Sequence, residues 1–518
     1  MRDLPERELN PRLRRADWRF LLPSPTARRA LCRADDGLAD AVASIAVQVV
    51  TTAAPGTCDL AVAQDPDPLS LSQLYDVLSP GGTCYTEWRA PIGGARRVER
   101  ALRAAGFADV TCYRPWPAAP ALPVYWIPFG APGAAAYVRS RRRLPGGRVR
   151  RLLAAARQRG RDLIHRRWTS LICAVGRRPT ENPSANADPA AWLRRSWSEW
   201  ALGPTPERLS TLLVTGGPRT VSKVVLLAFG EPSRVPLVAV KAPRVEAAAV
   251  GIRREAAALA RLTGRPSQAT PGVPRLLFCN EIDGIPLVGE SAISGRPLDT
   301  LLTRRSLAGW SATVADWLAL LAENAATLSG SHWREAIVEP MLADFEEAFG
   351  DVVDRGLLRE AAGIVRAIGD LPQIPEQRDF GPWNLLVTQA GELAVLDWES
   401  AEVDGLPALD LLYYLAYASF IADRARTRES RILSYRRHLD PSTPTGGVRR
   451  DCVARYLDSL GLDPAHLGPL RVLLWLIHAQ SDVRHAAADA GAPPTAEALA
   501  RSLFLALWAE EVRHVARA

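Results

Sequence analysis

Between residues 29 and 116 the apolar positions follow two periods in turn. The runs "RALCRA", "VQVVTT", "CDLAVA", "TCYTEW" and "DVTCYRPW" are short and rich in β-branched or apolar residues, and read as strands. Between them "GLADAVASIA", "LSLSQLYDVL" and "ARRVERALRAAGF" repeat apolar side chains at the helical spacing. Strands alternating with helices predict a doubly wound α/β sheet. From about residue 205 the pattern changes. "LSTLLV" and "SKVVLLAFG" flank the turn "TGGPRT", "PLVAVK" follows as a strand, and "VEAAAVGIRREAAALARL" has a helical period. Two more strands, "PRLLFCN" and "IPLVGESAISGRPL", lead into long helical runs. Trp310, Trp317, Trp333, Trp475 and Trp508 sit in those apolar runs, and most of them are expected in the core. One hairpin, "NLLVTQAGELAVLDW", interrupts the helices.

At 518 residues the chain exceeds what one core supports. Residues 139–167 hold twelve Arg against one Asp and account for the net positive charge. A helical pattern begins there at about Arg148, and "RRPTENPSANADPAAW" after it has the composition of a linker. These breaks predict an α/β domain over 1–138, an Arg-rich helix and linker over 139–192, a β-rich lobe over 193–292 and a helical lobe over 293–518. The basic segment suits a solvated helix, with an anionic membrane or a phosphorylated partner as its possible contacts. Aromatic residues do not interleave with its Arg, so no nucleic acid is expected.

The seven Cys are scattered without a CxxC pair, which argues against a zinc site or a disulfide framework and fits a cytoplasmic protein. The N-terminus lacks an apolar signal region, and dispersed His without HExxH spacing argues against metal-dependent hydrolysis. Of 64 basic residues 62 are Arg; the two Lys are Lys223 and Lys241. In a chain so biased, a retained Lys points to a need for a compact ammonium.

Lys241 ends the strand "PLVAVK", and Glu255 follows it on a predicted helix. The turn containing Gly216 and Gly217 can lay backbone amides over phosphates, although a GG turn alone marks only a hairpin. In "DFGPWN" Asp379 precedes Asn384 with the D-x-x-x-x-N spacing of a kinase catalytic loop. The hairpin that follows returns Asp397 of "DWE" to the same place. Asn384 and Asp397 are hard oxygen ligands suited to Mg²⁺, leaving Asp379 to meet a substrate hydroxyl. The letters DFG at Asp379 therefore do not mark the metal-binding Asp.

"DFGPWNLLV…LAVLDWESAEVDGLPALDLLYYL" closely resembles the aminoglycoside phosphotransferase and choline kinase-like family of the protein-kinase-like fold. The resemblance implies an α+β bilobal kinase-like domain that uses ATP and Mg²⁺ to phosphorylate a hydroxyl of a small molecule such as a sugar, amino alcohol or antibiotic. It implies that Lys241 binds the ATP phosphates, Glu255 positions Lys241, Asp379 is catalytic, and Asn384 and Asp397 bind Mg²⁺. The chain departs from the family in carrying Gln377-Arg378 where His-Gly is usual. Asp410 in "PALDLL" is expected to brace the catalytic loop or to cap a helix.

The run "LYDVLSPGGTCYTEW…ALRAAGFADVTCYRPW" resembles the C-terminal half of class I SAM-dependent methyltransferases, a Rossmann-like α/β fold. The turn "CRADDGLAD" lacks the closely spaced Gly residues of that family's cofactor site. The expectation is a smaller, degenerate methyltransferase-like domain ahead of the kinase-like one. The alternatives are a scaffold with both domains degenerate and a bifunctional methyltransferase-kinase.

Overall fold

The two periods in the sequence build two units of different character. The computed structural model describes residues 13–91, 93–117, 122–141, 169–180, 189–216, 223–264, 270–325, 334–490 and 492–517. One unit is Met1–Ile252 with Leu277–Ala292; the other is Arg253–Leu276 with Ile293–Ala518.

The first unit is organised by a single mixed sheet. Its strands are β1 (Ala27–Arg33), β2 (Ala46–Val50), β3 (Cys58–Gln64), β4 (Leu78–Pro91), β5 (Ala108–Trp116), β6 (Tyr125–Pro128) and β7 (Thr169–Arg177). They continue with β8 (Leu209–Val214), β9 (Lys223–Gly230), β10 (Pro236–Pro243), β11 (Leu276–Ile282) and β12 (Ile285–Ser291). Their spatial order is β11-β12-β10-β9-β8-β6-β5-β7-β4-β3-β1-β2.

Strands β2, β1, β3 and β4 run parallel. Parallel neighbours need crossovers, which α1 (Asp36–Ala43) and α2 (Pro68–Val77) supply. Each of these helices starts where an Asp side chain accepts a backbone N–H: Asp35 from Leu38 and Asp67 from Ser70. Strand β7 then inserts antiparallel between β4 and β5, and the pairs through β6, β8, β9, β10 and β12 are antiparallel as well. On β3, Leu60 and Val62 enter one core cluster while Ala61 and Ala63 enter another. That is the pattern of a strand buried on both faces. The helices α3 (Ala95–Ala104), α4 (Pro132–Arg141) and α5 (Pro189–Arg195) complete this unit, and α6 (Ala249–Thr263) begins at its edge.

A buried ion pair ties together parts of the first unit that are remote in sequence. Arg244 donates from Nε to Asp17 Oδ1 at 2.9 Å and from a terminal nitrogen to Asp17 Oδ2 at 3.0 Å. The same guanidinium reaches the carbonyl of Thr215 at 3.0 Å. Both residues are about 1% exposed, so the two-pronged geometry is what makes the burial tolerable.

The second unit is mainly helical: α7 (Leu307–Ala325), α8 (Glu339–Phe349), α9 (Arg355–Arg366), α10 (Leu409–Asp423), α11 (Arg428–Leu439), α12 (Pro444–Leu460), α13 (Leu467–Ala490), α14 (Ala496–Ala500) and α15 (Leu503–Val515). Helix α10 is buried on nearly every side, which is why its sequence is apolar all round rather than amphipathic. Two small sheets accompany the helices. One has β13 (Arg296–Pro297), β15 (Leu385–Val387) and β16 (Leu393–Val395) in the order β13-β15-β16; the other pairs β14 (Ile374–Glu376) with β17 (Glu402–Gly405). Among the described residues no helix is long and apolar enough to cross a membrane.

The sheet changes two expectations. Strand β7 lies inside the stretch expected to be helix and linker. Its apolar run, Leu171 to Val175, is flanked by Arg-rich and Pro-rich sequence whose composition hides it. In addition, the stretches expected as separate domains over 1–138 and 193–292 share one sheet and one unit, because β6 pairs with β8. The Arg-rich helix expected from Arg148, with most of the basic segment, lies outside the described residues.

The Asp17–Arg244 pair yields a prediction. Asp17→Ala leaves a buried guanidinium without its carboxylate and is expected to cost about 3–5 kcal/mol. Urea denaturation checks this; a loss below about 1 kcal/mol would contradict the role given to the pair.

Candidate active site

The hairpin β15–β16 sets the geometry of the second unit's polar centre. Its register pairs Leu385 with Val395, and the next backbone bond outward runs from the Leu396 N–H to the Asn384 carbonyl at 2.9 Å. The residues just beyond the two strands are therefore brought together. Asn384 ends the loop that follows β14, and Asp397 begins the loop that follows β16. A backbone bond from the Val395 N–H to the carbonyl of Gly272 at 2.9 Å holds the outer side of β16. Gly272 has a φ of +84°, and a Cβ there would lie 2.1 Å from the Leu393 carbonyl oxygen, so the approach requires glycine.

Asp379 lies in the first loop. The Asn384 amide donates to the Asp379 carboxylate at 2.9 Å and to its carbonyl at 2.8 Å. With its nitrogen so engaged, the amide keeps its oxygen as the remaining ligand atom. Tyr413, from α10, places its hydroxyl 3.4 Å from Asp379 Oδ1, and the Trp383 indole N–H lies 3.5 Å from Oδ2. Burial pushes the Asp379 pKa up to about 6, with the negative charge of Asp397 as the next cause; the bonds from Trp383 and Asn384 pull the other way.

Gln377 clasps the two loops. Its Oε1 accepts the Asp379 N–H at 2.9 Å, while its Nε2 donates to the carbonyls of Leu396 at 3.1 Å and Asp397 at 2.5 Å. It is fully buried. Two neighbours adopt left-handed backbone without being glycine: Arg378 with φ +65° and Asp397 with φ +68°. Such conformations cost of order 1 kcal/mol or more and persist where the surroundings over-determine them. Here the surroundings are specific. Asp410 accepts the backbone N–H of Gln377 at 2.6 Å and of Arg378 at 2.9 Å. The Arg378 guanidinium donates to Glu376 at 2.9 Å, and Glu376 also accepts the Leu406 N–H. Burial, reinforced by Glu376, raises the Asp410 pKa to about 7. On the other side, buried Glu255 on α6 accepts the N–H of Trp398, the residue after Asp397, at 3.0 Å.

In the first unit Lys241 is buried on β10. Its Nζ lies 2.8 Å from Glu290 Oε1 on the neighbouring strand β12. Gly216 lies just beyond β8, separated from its end by Thr215, and Gly217 lies outside the described residues.

Of the residues singled out in the sequence, Asp379, Asn384 and Asp397 thus converge in the second unit, and Glu255 holds the last of them through the adjoining backbone. Three contributors were missed. Gln377 registered only as a departure from a family pattern, and Glu376 and Glu290 carried no motif. A lone carboxylate in the apolar strand "IPLVGES" was the available signal for Glu290. Among the described residues no group of three or more His, Cys, Asp or Glu is arranged to hold a metal. Any divalent cation would have to draw on Asp397, on the Asn384 oxygen and on a ligand's own oxygens. The donor set fits such an ion, since both are hard oxygens and the mutual repulsion of Asp379 and Asp397 would be relieved by a positive charge.

No curated protein matches the chain. Among solved structures, a thermostable mutant of aminoglycoside phosphotransferase APH(4)-Ia in its apo form is 15% identical with a TM-score of 0.37, covering 63% of this chain and 98% of that one. The GDP complex of wild-type aminoglycoside 2'-phosphotransferase-IIIa is 12% identical with a TM-score of 0.36, covering 62% and 99%. A glucosamine kinase is 17% identical with a TM-score of 0.35, covering 64% and 85%. Residues 223–444, the interval that holds Lys241, Glu255, Asp379, Asn384 and Asp397, match the phosphotransferase enzyme family APH.

Proposed function

We propose that this protein is an ATP- and Mg²⁺-dependent phosphotransferase whose acceptor is a hydroxyl of a small molecule, such as a sugar, an amino alcohol or an antibiotic-like compound. The reading rests on one observation: a hairpin register that brings Asn384 and Asp397 together beside Asp379, within the segment that matches the phosphotransferase family.

Asp379 is the group that meets the acceptor. Its carboxylate orients the hydroxyl and takes the proton as the acceptor oxygen bonds to the γ-phosphorus and ADP departs. A base raised to about 6 remains charged at neutral pH and is a better proton acceptor than an ordinary carboxylate. Asp397 and the Asn384 oxygen would hold Mg²⁺, which when bound neutralises phosphate charge. Lys241 supplies a compact ammonium to the phosphates, with Glu290 fixing its position. Gln377 keeps Asp379 and the Asp397 loop in register, and Glu255 holds that loop from its other side.

The same reading assigns no cofactor to the α/β segment at the start of the chain. The turn after β1 is closed by a side chain from the end of β3: Gln64 accepts the Asp35 N–H at 2.8 Å and donates to the Asp35 carboxylate at 3.1 Å. A cofactor in that turn would have to displace both bonds.

Two predictions test the assignment. Burial favours neutral Asp379, so the cost of holding its carboxylate is absent below about pH 4, grows between about pH 4 and 6, and is complete above that range. Asp379→Asn should therefore lose phosphoryl transfer by orders of magnitude yet match or exceed wild-type stability at pH 7, an advantage that fades toward pH 4. Turnover with a hydroxyl-compound panel and denaturation at both pH values check this. Near-normal turnover would remove Asp379 from the reaction.

Lys241→Arg should slow transfer at least about tenfold, or ~1.4 kcal/mol in the barrier, because a planar guanidinium cannot replace an ammonium held by Glu290. Lys223→Arg, at the start of β9, should be milder. The reverse order of damage in steady-state kinetics would assign the phosphates to the wrong Lys.

A further inference from the structure

The sheet that carries Lys241 has a second face, and that face is not solid. Along β10 Ala239 packs into one core cluster of the first unit while Val240 and Ala242 enter another. Alternation puts Lys241 with Ala239 and sets Val240 and Ala242 on the opposite side. On that opposite side lies a cavity of ≈ 460 Å³. Its walls include Val224, Leu226, Val240 and Ala242 from the sheet, with Phe20 and Trp192 facing them. The four sheet residues and Phe20 are all buried, so the space is enclosed by apolar groups on the sheet side.

The volume falls within the range of small-molecule sites. Water gains little against the sheet walls, because a stable buried water needs several polar partners and the side chains of Val224, Leu226, Val240 and Ala242 offer none. An apolar occupant regains the dispersion contacts that an empty space forfeits. Polarity enters at one place. Apart from the Trp192 indole, the polar side chains among the described lining residues are Arg195 and Ser196, at the end of α5. Arg194, beside them, already donates to the carbonyls of Pro206 and Glu207. Arg195 instead is exposed at the cavity's rim.

One apolar compartment of this volume, with one cation and one hydroxyl among its lining side chains, defines a ligand class. We propose that the first unit binds a free long-chain fatty carboxylate, its chain in the cavity and its carboxylate on Arg195 and Ser196. Such a ligand packs directly on Val240 and Ala242, the residues that flank Lys241 in sequence. Occupancy therefore bears on the strand that carries the ammonium.

The test uses the full-length protein and a fluorescent anthroyloxy fatty acid, displaced by palmitate or by hexadecanol. Wild type should bind one probe per chain and release it to palmitate. Val224→Phe, which puts a ring into the cavity, should weaken the probe at least about tenfold without lowering the melting temperature. Arg195→Glu, at an exposed position that should not disturb folding, should weaken palmitate by a similar factor and leave hexadecanol unchanged. Absence of saturable binding by wild type overturns the proposal. So does palmitate affinity unchanged in Arg195→Glu, which would place the carboxylate elsewhere; this arm stands even if Val224→Phe fails to fold. Probe binding and melting need no phosphoryl transfer, so the result is independent of the proposed activity.

Discussion

The second unit's polar centre depends on a clasp between two loops. The β15–β16 register delivers Asn384 and Asp397 to adjacent places, but register alone fixes backbone, not carboxylates. Gln377 adds the missing constraint by using both ends of one amide: the oxygen on Asp379's N–H, the nitrogen on the carbonyls of Leu396 and Asp397. An amide suits this position because it is donor and acceptor at once and carries no charge to desolvate. Asp410 and Glu376 complete the arrangement by absorbing the N–H groups and the cation that the loop leaves in the interior.

This arrangement favours geometry over stability. Asp379 is held beside Asp397 in a buried setting that disfavours its charge. Arg378 and Asp397 hold left-handed backbone conformations that cost a non-glycine residue free energy. In the first unit, Lys241 and Glu290 are a buried pair, and Asp17 with Arg244 another. Buried pairs of this kind seldom stabilise a fold over apolar packing, and removal of one partner is costly. They fix positions. The apolar residues around them, from the all-round buried α10 to the two faces of β3, supply the stability that such pairs draw on.

Much of this was legible in the sequence. The strands from "RALCRA" to "DVTCYRPW" appear as read, because alternation and short length are local properties. The meeting of Asp379, Asn384 and Asp397 was legible because a fixed loop spacing and a hairpin turn are local too. What local pattern could not give was partnership across the chain. Strand β7 pairs with β4 and β5, far away in sequence, and its composition is masked by its flanks. Glu290 acquires its meaning from a neighbouring strand, and Asp17 from Arg244, 227 residues on. The cavity behind Val240 has no signature at all, since its walls look like any other buried strand and only their failure to meet distinguishes them.

In the proposed function Asp397 carries the heaviest assignment, holding the cation that would accompany the nucleotide. Thermal denaturation of wild type and Asp397→Ala with ATP, with and without Mg²⁺, isolates that role. Wild type should gain stability with ATP and Mg²⁺ together, by ~2.7 kcal/mol at about one hundred times the dissociation constant. Asp397→Ala should show no difference between ATP alone and ATP with Mg²⁺. A wild-type protein indifferent to Mg²⁺ and ATP, or an Asp397→Ala protein with the full metal-dependent gain, would contradict it.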